Sequence, residues 1–216
     1  MSQDLAIPGI TPRQRFIALA GLYASVFVFG ISFGGLVPWM ALHMDAQGLD
    51  GKLIGFISAA HPIGVMLMAP YTQRIVRRFG SGNAMIFCSI IGVVTMVPLG
   101  MTDSPWIWLA LRFISGLSGS VPWVVTETWI NRATSSEARG RAVALYAAIM
   151  AAGFAAGPEV SKWTIYLNTS ALPWLIGISV VSLIIILPLR RLAPPMDDNG
   201  GAHVLGVFLT VPALLS

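Results

Sequence analysis

The chain has 216 residues, 56% of them hydrophobic and 10% charged, with a formal charge of +4. Soluble domains carry about 25% charged residues, so this composition excludes an ordinary water-soluble domain and points to a chain embedded in lipid. The basic residues are scattered between apolar runs, which argues against a nucleic-acid-binding patch, and the single cysteine, Cys88, excludes an intrachain disulfide.

A polar segment, residues 1–15, opens the chain and is expected to stay in the cytoplasm. Six apolar runs follow, at 16–40, 53–71, 84–101, 106–130, 141–163 and 171–189. A bilayer core of about 30 Å takes roughly 20 residues of helix, so each run can cross. The first is too long to be the core of a cleaved signal peptide. The expected fold is an all-α membrane protein, with a six-helix transmembrane domain over residues 16–189. A cytoplasmic linker, 190–202, and a truncated seventh helix, 203–216, complete the expected organisation.

Local signals mark the boundaries. In "TDSPW", Asp103 or Ser104 is placed to cap the fourth helix, with Pro105 in its first turn. In "TSSEARGR", Thr134 and Glu137 have the spacing of a capping box ahead of the fifth. "RRLAPPMDDNGG" has the prolines and glycines of a linker.

Arginine sets the orientation. Arg13, Arg15, Arg74, Arg77, Arg78, Arg132, Arg139, Arg141, Arg190 and Arg191 fall on one side of an alternating six-helix path, against Lys52 and Lys162 on the other. Positive charge accumulates on the cytoplasmic side, so the N-terminus and the segment after the sixth helix are expected there, in an inner or plasma membrane.

The fourth run contains two charges that need separate explanations. Arg112 lies about 9 Å inside the outer end and Glu127 about 22 Å further along, at 1.5 Å per residue, so the two cannot pair. A charge within a membrane helix is costly and usually faces a bundle interior or a water-filled cavity; a long side chain near the end can instead reach the headgroups. Glu159 in the fifth run lies at similar depth to Arg112 and is the expected partner. Glu127 is expected at the cytoplasmic edge, latched to Arg77 or Arg78 or reaching water. Between the charges, "SGLSGS" places Ser115 with Gly119 and Gly116 with Ser120 four apart, and "GFAAGP" does the same with Gly153 and Gly157 ahead of Pro158. Small residues at this spacing let helices approach closely, and Pro158 removes a backbone hydrogen bond and is expected to bend its helix. His61, midway along the second run, titrates in its unperturbed state near neutral pH and is a further cavity candidate, with a packing role as the alternative.

Together, "LVPWM", "IVRRFG", "LRFISGLSGSVPWVVTETWIN", "RGRAVALY", "GFAAGP" and "LPWLIG" resemble the N-terminal half of a major facilitator superfamily transporter, with the nearest likeness to the YcaD-like branch. The likeness covers most of residues 16–189. In the turn after the second helix, Arg78 and Gly80 match the family pattern; Gln73 and Arg77 depart from it, at an expected glycine and an expected acidic residue. Arg112, Gly116 and Gly119 resemble the fourth-helix motif tied to the substrate or proton pathway. Gly153, Gly157 and Pro158 resemble the core of a fifth-helix motif. The resemblance implies secondary transport of a small molecule by alternating access, possible proton coupling, and two six-helix halves of which this chain has one. The other half would come from a longer chain or from a second copy.

Two other classes fit parts of the sequence. A membrane scaffold or degenerate half-transporter needs only the bundle. A rhomboid-type intramembrane serine protease would use Ser118 in "GLSG" with His61, but the sixth run has no histidine to act as base. No phosphate loop, nucleotide fingerprint or paired metal ligands suggest a cofactor, a metal or ATP-driven transport.

Overall fold

A computed structural model describes residues 11–135 and 137–193. The expected seventh helix and most of the linker lie outside the described residues. The described residues form six α-helices: α1 (Pro12–Ala46), α2 (Gly51–Phe79), α3 (Ser81–Val94), α4 (Pro105–Ala133), α5 (Arg139–Tyr166) and α6 (Ala171–Ile186). Short 3-10 turns, Val97–Gly100 and Leu187–Leu192, extend α3 and α6. With those extensions, all six are long and apolar enough to cross a membrane.

Most of the helices are longer than the apolar runs, because backbone hydrogen bonding continues into the polar flanks. Thr11 caps α1 in a box with Gln14, through contacts of 2.9 and 3.2 Å. Ser104 is the cap residue of α4 and Pro105 opens the helix, as expected, but Ser104 makes no side-chain cap bond. Asp103 turns away: it accepts from Gln47 at 2.6 Å and lies 3.3 Å from His43, which ties the end of α1 to the α3–α4 connection. The expected box at Thr134 is not formed. Thr134 instead ends α4 and donates to the Ile130 carbonyl at 2.6 Å, and α5 starts at Arg139. Gly80, at φ 80°, makes the corner between α2 and α3 in a conformation that disfavours side chains. α5 continues through Pro158 as one helix.

The packing has a repeated plan. α1 lies mainly against α5 and α6, and α4 lies mainly against α2 and α3. Exchanging α1–α3 for α4–α6, helix for helix, turns one set of contacts into the other. Facing residue numbers rise together along α1 and α5, from Gly30 at Met150 to Gly35 at Gly157. They do so again along α2 and α4, from His61 at Ser115 to Thr72 at Ser120. Both principal pairs are therefore parallel.

Small residues make both seams. A Cβ on Gly34 would come 2.5 Å from the Phe154 carbonyl oxygen, and one on Gly157 would strike Gly35. On the other seam a Cβ on Gly64 would lie 2.6 Å from the Phe113 carbonyl oxygen, and one on Gly116 would strike the His61 carbonyl. Backbones this close gain dispersion contacts that lipid cannot supply, which drives helix association where no hydrophobic effect operates.

Two apolar clusters fill the bundle. One gathers Leu22, Met85, Val125 and Trp129 toward the arginine-rich end; the other gathers Met40, Ile57, Trp108 and Leu175 toward the opposite end. Along α1 the first uses Ala18, Leu22 and Val26 and the second Leu36, Met40 and Met44. The turns between them face a cavity.

Candidate functional site

The cavity holds about 130 Å³ and is lined by α1, α2, α3, α4, α5 and α6. Phe29, Phe33, Leu36, Val93, Met96, Met150 and Leu183 give it an apolar wall, and Arg112, His61 and Ser115 bring the chemistry. Ligand sites commonly have this composition: an apolar body contact with a few placed polar groups.

Arg112 is buried, with 3% of its surface exposed. It does not reach back to the headgroups. Its guanidinium carbon lies over the Phe33 ring, 5.4 Å from the centroid. A cation over an aromatic face gains about 2 kcal/mol when desolvated, which offsets only part of the several kcal/mol needed to bury the charge. Among the described residues no carboxylate pairs with it, and its Nε has no hydrogen-bond partner.

The expected Arg112–Glu159 pair is not made. Glu159 accepts from Lys162 at 2.5 Å, one turn along α5, and its side chain is 57% exposed. It does not line the cavity. Equal depth in two helices says nothing about which way each side chain faces, and the glycine seam turns Gly153 and Gly157, rather than Glu159, toward α1.

His61 does face the cavity, and its partner is a hydroxyl. His61 Nδ1 lies 2.9 Å from Ser115 Oγ, while the Ser115 hydroxyl donates to the Arg112 carbonyl at 2.8 Å. With that hydroxyl hydrogen committed, Nδ1–H is the donor to Ser115. The His61 ring packs on Phe33, 4.8 Å between centroids, so Phe33 is shared by the cation and the imidazole. Ser118, the nucleophile of the protease alternative, instead donates to the Ser115 carbonyl at 3.0 Å. His61 is bonded to a different serine, as donor rather than base.

Gly116 and Gly119, both expected as packing residues, separate. Gly116 seats α4 on α2, whereas a Cβ on Gly119 would lie 3.6 Å from the His61 ring, and Gly119 lines the cavity. At the arginine-rich end, Glu127 is exposed and stands one turn along α4 from Trp123, a residue of the cavity wall. Arg77 and Arg78 are exposed near the end of α2, and the Arg78 guanidinium lies 5.7 Å from the Phe79 ring centroid. Phe33 was missed in the sequence. Nothing in "FGISFGGL" distinguishes it from the lipid-facing phenylalanines, since α1 is apolar on all sides.

Six membrane-length helices around a polar-tipped cavity define a polytopic membrane protein. The Major Facilitator Superfamily profile matches residues 22–215, and the chain belongs to that superfamily. It is 28% identical to the uncharacterized MFS-type transporter YcaD of Escherichia coli O6:K15:H31 (strain 536 / UPEC) over 198 residues, covering 91% of this chain and 50% of that protein. It is likewise 28% identical over 176 residues to the uncharacterized MFS-type transporter Ent638_1421 of Enterobacter sp. (strain 638), covering 81% and 45%. With the uncharacterized MFS-type transporter YfkF of Bacillus subtilis (strain 168) it shares 27% identity over 133 residues, covering 62% and 34%. The chain spans half the length, or less, of these curated relatives.

Proposed function

We propose that this bundle forms one half of a secondary active transporter that moves a small molecule by alternating access, with the C-terminal half of a longer chain or a second copy closing the other side of the cavity. The observation that carries the proposal is the cavity itself, with Arg112 buried at its wall and paired with no carboxylate among the described residues. The ten arginines gathered at one end of the bundle favour a cytoplasmic N-terminus in an inner or plasma membrane.

A pair of cysteines tests alternation in the full-length protein with Cys88→Ser. Leu111→Cys and Thr126→Cys both line the cavity, toward its outer and inner ends. Alternating access has a bulky impermeant maleimide on Leu111→Cys, applied from outside, suppress labelling of Thr126→Cys from inside. Independent labelling at the two positions would argue for a static scaffold.

Glu127 is the carboxylate through which we read proton coupling, because it stands one turn along α4 from Trp123 in the cavity wall. Glu127→Gln is expected to lower substrate-dependent proton uptake at least tenfold in vesicles with expression unchanged; full uptake in that variant removes Glu127 from the scheme.

A further inference from the structure

We propose that the cavity recognises an organic anion, a carboxylate carried on a small apolar or aromatic body, with Arg112 as its charge partner. The assignment deepens the transport reading and rests on it.

A cation enclosed in a membrane bundle faces the interior or a water-filled cavity and pairs there with an anion or with backbone carbonyls. The described carboxylates are all engaged or placed elsewhere: Asp103 is held by Gln47 and His43 and Glu159 by Lys162, while Glu127 is exposed and does not line the cavity. Asp45 and Asp50 flank the α1–α2 turn, and Glu137 lies in the α4–α5 turn. Arg112 Nε is buried without an acceptor, on a side chain whose guanidinium faces the cavity. A carboxylate supplies both things that are missing: a negative charge and planar acceptor oxygens that match the guanidinium fork.

The rest of the cavity specifies the body of the anion. Phe29, Phe33, Trp123 and Met150 offer apolar and ring contact but no second cation. An inorganic polyanion would leave most of its charge unmatched against such a wall, whereas a monocarboxylic acid places one charge at Arg112 and its apolar part against the rings. His61 strengthens the case. Its Nδ1–H is held by Ser115, which leaves Nε2 toward Gly119 as the one further polar atom of the ring. One charge is fixed, and everything else is adaptable.

The same carboxylate chemistry could come from a side chain of the other half of a transporter, and the experiment separates the two sources. Radiolabelled benzoate, butyrate and octanoate, with benzamide and benzylamine as neutral and cationic controls, are titrated against the full-length protein in lipid nanodiscs. Saturable binding of at least one acid, at least tenfold tighter than its uncharged or cationic counterpart, is expected. Arg112→Gln should abolish that preference, and Arg112→Lys should keep it at lower affinity. A measurement on the unaltered protein guards against misfolded variants. Phenylglyoxal should modify Arg112, read by mass spectrometry of its peptide, and the bound acid should protect it where the amide does not. If none of the acids outbinds the controls, if Arg112→Gln binds as the wild type does, or if Arg112 resists phenylglyoxal with no acid present, the anion assignment is overturned; the last result closes the guanidinium to small molecules, as a protein carboxylate seated on it would. Cysteine labelling that alternates alongside any of these failures leaves the transport reading standing without it.

Discussion

Gly116 and Gly119 stand on the same helix three positions apart, yet their surroundings differ. A side chain at Gly116 meets the backbone of α2, which cannot yield without parting two helices; a side chain at Gly119 meets the edge of an imidazole at ordinary contact distance. Gly116→Ala is therefore expected to destabilise the protein by about 1–3 kcal/mol, the usual cost of overpacking, while Gly119→Ala stays within about 0.5 kcal/mol. Thermal unfolding in detergent reads both. The same contrast governs the acids. Glu159→Gln breaks only an exposed pair with Lys162, worth about 0–1 kcal/mol, and should leave benzoate binding unchanged in the titration above. An effect on binding of more than threefold would return Glu159 to the cavity. Arg112 and His61 could be read from the sequence as cavity residues because charge and imidazole are rare inside such helices. Their real partners could not: Phe33 is one phenylalanine among many, and Ser115 reads equally well as a packing residue.

At the scale of the helix, the seam between α1 and α5 is the strongest constraint. Gly30, Gly34 and Gly35 of α1 meet Gly153 and Gly157 of α5 backbone to backbone. Gly34→Ala and Gly157→Ala should each destabilise by about 1–3 kcal/mol, and the double variant by less than the sum, since either change alone already parts the same pair of helices. Denaturant titration of the four proteins measures the coupling. Helix positions were legible because apolar runs of membrane length announce themselves. The ends were less so: the hydropathy pattern stops where the hydrocarbon stops, while hydrogen bonding carries α1 on to Ala46 and α2 to Phe79. The spacing of Gly153 and Gly157 announced a close approach but not its partner, because a small-residue pair specifies distance and leaves identity to the facing helix.

Across the whole molecule, the exchange relation between α1–α3 and α4–α6 governs the architecture, and the sequence carries no visible trace of it. The plan lies in the contacts between helices and not in the identity of their side chains. Because α1 is held by α5 and α6, and α4 by α2 and α3, each group of three helices finds its main contacts in the other. A chain split in the α3–α4 connection is expected to reassemble: the two pieces should copurify when produced together, and each should be degraded when produced alone. Stable separate pieces would contradict the packing. The same relation sets an order in time. A ribosome releases α1, α2 and α3 first, and these three touch one another only lightly. Gly30, Gly34 and Gly64 must then face lipid as unfilled grooves until α4 and α5 emerge, so the early spans commit to their direction across the bilayer well before they find their neighbours. Newborn chains paused at that stage are the ones most exposed to membrane quality control.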